Sequence, residues 1–147
     1  MEEARTVVDW LLRAGLLGAL VAWARGTWTA WRQRKAERRS LLRLVEMEVQ
    51  QNEAVVEARS PSDYGNVTNV LRTDTWEQTR VRLAQVLKDR QFSQISDYYR
   101  DAQLLNHLWS PDAHPRHRAK EATSAQARLT ERGKEITAWI RDELNGS

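Results

Sequence analysis

The side chains able to run chemistry are few. Cysteine is absent, which removes a disulfide framework, a thiolate nucleophile and cysteine-bound zinc, and suits a reducing compartment. Arg100-Asp101 with His107 is the one arrangement of catalytic interest: Arg100 and His107 stand seven residues apart, two helical turns, and so share a face. A pairing this short arises by accident on many helices, and its plainer reading is a solvated face or an interface. Asp112, His114 and His117 lie close together, but a closed zinc site wants four ligands at stereotyped spacing, and Pro115 separates the two histidines. A polar surface loop is expected there. The chain holds no Gly-rich phosphate loop, no carboxylate pair in a cleft-forming context and no Ser-His-Asp order. No enzyme, metal or cofactor is therefore expected.

The elements that carry these residues read as helices. At 147 residues, 41% hydrophobic and 29% charged, the chain suffices for one modest domain and an appendage. Its six glycines and three prolines are too few to break it into strands, so the fold expected is all-α. Leu42, Val45, Val49, Asn52 and Val56 follow a 3,4 spacing on one stripe of a helix running to about Arg59. Asn52 on that stripe is either a buried amide with a partner or a partly exposed residue near the helix end. Ser60 to Asn69 reads as a loop. A second helix opens at Thr73-Asp74-Thr75-Trp76-Glu77-Gln78, where Asp74 or Thr75 can cap, and runs through Val81, Leu83 and Leu87. A third follows Asp89, with Phe92, Ile95, Tyr99, Ala102, Leu105 and Trp109 on one face. The last, from about Arg116 to Leu144, is diluted by alanine and charge and is expected to add least to the core. Together they predict a small antiparallel helical bundle over 41–147.

The first 31 residues differ in kind. Val7 to Ala24 is apolar apart from Asp9 and Arg13, which a helix would bring side by side. The uncharged run Ala14 to Ala24 is eleven residues, short of the ~20 usual for a span. Trp10, however, precedes Trp28 and Trp31 by distances of about 27 and 32 Å along a helix, close to the hydrocarbon thickness. Trp10, Trp23, Trp28 and Trp31 are accordingly read as membrane-interface residues of a transmembrane or membrane-lying helix over 1–31. A basic stalk, 32–40, follows. Arg25, Arg32, Arg34, Lys35, Arg38 and Arg39, against the single acid Glu37, are read as binding anionic headgroups, with nucleic acid less favoured. The same charges predict a single-pass inner (plasma) membrane topology, N-terminus out and C-terminus cytoplasmic. Ala14, Gly18, Ala22, Gly26 and Ala30 recur every four residues, a small-residue ridge that would let helices of two copies approach closely and form a homo-oligomer.

Glu48-x-x-x-Asn52, Thr73-x-x-Trp76-Glu77, and Phe92 followed by Tyr98-Tyr99 resemble small bacterial single-pass membrane proteins with a cytoplasmic helical domain of unknown function. The resemblance covers Leu41 to Trp109 and implies the topology above, with no catalytic residue carried over. The R-x6-H spacing of Arg100 and His107, the loosest the motif allows, resembles HEPN ribonucleases. In that family, dimeric helical bundles bring Arg and His of two subunits to a shared cleft to position and protonate an RNA phosphodiester. The function expected first is a non-enzymatic, membrane-anchored, self-associating scaffold or adaptor that presents its bundle to an unknown cytoplasmic protein. The alternatives are a membrane-perturbing or pore-forming effector, for example in antiviral defence, for which Asp9 and Arg13 argue, and a HEPN-like ribonuclease.

Overall fold

A computed structural model describes residues 2–58, 71–110 and 118–146, and side chains within 18–58, 71–110 and 120–146. The described residues form four helices and no strand: α1 (Glu2–Glu57), α2 (Asp74–Val86), α3 (Asp89–Trp109) and α4 (Arg118–Asn145). The chain divides into two units, 1–37 and 38–147, with the boundary inside α1. Among the described residues no helix is long and apolar enough to cross a membrane. The side chains of Trp10 and Ala14, like His114 and His117, lie outside the described residues.

In the second unit the 3,4 stripe of α1 is buried as its spacing predicts: Leu42, Val45 and Val49 are inaccessible to solvent, and Val56 nearly so. Asn52 is inaccessible too, which settles its two readings in favour of the buried amide. Around this stripe α3 places Ile95, Tyr98, Tyr99, Ala102 and Leu105. Cross-helix pairs give the directions. Arg38 meets Glu143 at 3.2 Å and Glu46 meets Arg141 at 2.9 Å, while the Gln126 amide donates to the Val56 carbonyl at 3.4 Å. Thus α4 runs antiparallel to α1. It is antiparallel to α3 as well, since Arg128 meets Asp101 and Arg132 donates to the Asp97 carbonyl. Trp76 pins α2 to α3 by stacking on Tyr99, centroids 5.4 Å apart, beside Phe92.

Two details differ from expectation. Helix α4 is a full core element, burying Ala122, Ala125, Leu129, Ile136 and Ile140, whereas within α2 only Leu83 and Thr79 are buried. Small residues let α4 come close: a Cβ at Gly133 would stand 2.5 Å from Glu53 Oε1 of α1. The helix packs through the bulk of Leu129, Ile136 and Ile140 together with small residues at Ala122, Ala125 and Gly133. The cap of α2 also differs. Thr73 occupies the N-cap, its hydroxyl donating to Glu77 Oε1 at 3.2 Å, and neither Asp74 nor Thr75 caps. The Thr75 N–H is satisfied from another helix, by Glu48 Oε2 at 2.9 Å.

Candidate functional site

The most elaborate polar construction in the bundle holds the entry to α2. Asn52 accepts from the Arg72 N–H at 2.7 Å and donates to the Arg72 carbonyl at 2.9 Å. Asn106 of α3 does the same to Leu71, at 2.9 and 2.7 Å. Two amides from two helices therefore grip both backbone groups of two successive residues, as a neighbouring strand would. Glu48, one turn before Asn52, then takes the Thr75 N–H. Beneath them lie Tyr98 and Tyr99, edge to face at 5.3 Å and fully buried. The Tyr98 hydroxyl sits by Asn52 and the Tyr99 hydroxyl by Glu48, neither within hydrogen-bond geometry. Burial raises the pKa of both phenols far above the usual value, making them weaker acids, and the Glu48 charge raises that of Tyr99 further. Both stay neutral at any physiological pH. This cluster orders the fold. The clamp could not be read from the sequence, because each amide's partner is a backbone group 20 or 35 residues away.

The residues of catalytic interest are directed elsewhere. Arg100 is exposed and pairs with Asp97 one turn back, at 2.8 Å. Asp101, buried, faces α4, where Arg128 and Arg132 hold its two oxygens. His107 lines a polar surface groove with Arg72, Thr73, Asp74, Glu77 and Gln103, to which Arg100 does not contribute. Among the described residues no group of three or more His, Cys, Asp or Glu side chains could hold a metal ion.

The first unit carries the other notable surface. Among its described residues Leu20, Val21, Trp23, Trp28 and Trp31 are each more than half exposed, Trp23 reaching 70%. At about 100° per residue these five fall within roughly 160° of the helix circumference. Thr27 and Thr29 hide their hydroxyls by donating back to carbonyls three and four residues earlier. Gly18, Ala22 and Gly26 take the opposite side, and nothing lies within 4 Å of where a Cβ would stand at either glycine. Trp28 and Trp31 neighbour each other at 5.5 Å; the Arg32 guanidinium lies 5.2 Å from the Trp28 centroid and the Lys35 ammonium 5.3 Å from that of Trp31. Of the basic residues read as headgroup ligands, Arg38 is diverted: it belongs to the bundle, held by Glu143 and by Gln91 Oε1 at 3.1 Å. Arg25, Arg32 and Arg34 are exposed, and Lys35 and Arg39 are half-buried. Comparison with known proteins finds no matching family, no matching curated protein and no matching solved structure.

Proposed function

We propose that the chain is a non-enzymatic, membrane-anchored helical scaffold. Its N-terminal helix attaches it to the plasma membrane and associates with copies of itself, and the bundle beginning at Arg38 is presented to a cytoplasmic protein. The observation that carries this reading is the uncovered arc of Leu20, Val21, Trp23, Trp28 and Trp31. Withdrawing side chains of this size from water is worth roughly 1.5–3 kcal/mol each, a strong drive toward an apolar phase. Tryptophans flanked by basic residues suit the bilayer interface, and the positive charge after Ala24 favours keeping the bundle on the cytoplasmic side. Whether the helix spans or lies flat, the ridge opposite the tryptophans supports pairing between copies.

Light scattering on the full chain, with and without detergent, tests this. The expected result is a discrete oligomer that needs detergent, and a smaller particle for Gly18→Leu/Gly26→Leu, whose added side chains meet nothing within the chain. A full-length protein that is monomeric and soluble without detergent would refute the reading.

A further inference from the structure

The basic residues after Ala24 are not equivalent in what they touch. Arg38 is spent inside the bundle on Glu143 and Gln91. Arg32 and Lys35 instead lean back one turn along α1, each over the face of the tryptophan four residues earlier, at 5.2 and 5.3 Å. Trp28 and Trp31 are themselves 5.5 Å apart, so two rings and two cations make one continuous band. Ring faces that support the long stems reduce the freedom lost when the charges engage a ligand. A tryptophan at the headgroup level sets its attendant cation at the same depth, beside the phosphates. Arg32 can present a planar fork to two phosphate oxygens, while Lys35 adds a compact charge. Between Arg25 and Arg43 Glu37 is the sole acid against seven bases, so the local field favours a ligand with net negative charge.

Resting on the membrane attachment proposed for this helix, we infer that Trp28, Trp31, Arg32 and Lys35 form a seat for the phosphate of an anionic glycerophospholipid. Attachment then selects acidic bilayers over zwitterionic ones. Each basic residue near an anionic surface strengthens partitioning about five-fold, so the pair contributes about thirty-fold.

The test is partitioning of the full chain onto phosphatidylcholine vesicles and onto vesicles that also contain phosphatidylglycerol, measured by co-sedimentation. The wild type is expected to prefer the mixed vesicles, less so as salt is raised. Arg32→Gln/Lys35→Gln is expected to bind the mixed vesicles about thirty-fold more weakly and the phosphatidylcholine vesicles unchanged. Both side chains lie in the first unit, outside the bundle core, and circular dichroism checks that helix content is kept. Trp28→Leu/Trp31→Leu, which keeps apolarity without the ring faces, is expected to lose part of the preference. Equal binding of wild type to both vesicle types, or a preference undiminished in the Gln variant, overturns the seat and leaves membrane attachment standing; the residual preference expected in that variant comes from Arg25 and Arg34. Binding to neither overturns both. A single-stranded oligonucleotide that binds the wild type and is not displaced by mixed vesicles assigns the band to nucleic acid instead, and also overturns the seat.

Discussion

Replacing Asn52 with alanine removes both hydrogen bonds that hold Arg72, from its N–H at 2.7 Å and to its carbonyl at 2.9 Å. Leu71 beside it is 2% exposed, so those backbone groups cannot turn to bulk water without lifting that side chain from the core. An orphaned buried polar group costs about 1–3 kcal/mol. Arg72 itself reaches solvent, which puts each of its two groups toward the lower end, and the expected loss is about 2 kcal/mol. That is a large part of the 5–15 kcal/mol typical of a domain. Asn106→Ala should cost a similar amount through Leu71. The double variant should cost less than the two together by at least ~1 kcal/mol, since a segment released at one residue no longer gains fully from the clamp on its neighbour. Urea denaturation followed by far-ultraviolet circular dichroism measures all three, with the slope checked for constancy. A loss below about 1 kcal/mol for Asn52→Ala, or losses that simply add, would refute the view that the two amides act as one clamp.

Asp101→Ala leaves Arg132 and Arg128, 30% and 45% exposed, without their shared carboxylate; solvent softens the penalty, and a loss of about 2 kcal/mol in the same titration is expected. Arg100→Ala, one residue away but exposed and, among the described residues, paired within its own turn, should change stability by less than about 0.5 kcal/mol; a larger effect would mean that the helix face is engaged. The carboxyl of Glu53 is raised above its ordinary 4.5 by burial and then by Glu57. The folded state therefore holds that proton more tightly than the unfolded chain, and the contribution to stability is full below about pH 4.5 and lost as pH rises through the raised value. Glu53→Gln should accordingly be more stable than wild type at neutral pH, with the advantage shrinking on acidification; an advantage independent of pH would assign the effect to something other than this proton.

Periodicity carried the reading of α1 and α3 because their apolar residues are large and regularly spaced. Leu42, Val45 and Val49 on one helix and Ile95, Tyr99 and Leu105 on the other are all buried. It undervalued α4, where Ala122, Ala125 and Gly133 are small and charged residues are interspersed, yet Leu129, Ile136 and Ile140 are fully buried. The partners of Arg38 were hidden for a different reason. Arg38 resembles its neighbours in composition, and what distinguishes it, contact with Gln91 and Glu143, depends on residues 53 and 105 positions further on. The same non-locality hid the clamp. Asn52 could be flagged as an amide on an apolar stripe, but Asn106 gave no such sign. Arg100 and His107 share a local spacing, while in the fold Arg100 turns to Asp97 and His107 lines the groove with Arg72.

The grip on Leu71 and Arg72 has a consequence for how this chain can vary. The start of α2 is positioned by amides reaching across from α1 and α3, so it does not depend on being delivered at a set distance from the end of α1. Insertions between Ala58 and Leu71 are then expected to cost little stability, because the clamp itself sets where α2 begins. A variant lengthened there is expected to unfold in urea at nearly the wild-type midpoint as long as Asn52 and Asn106 are kept.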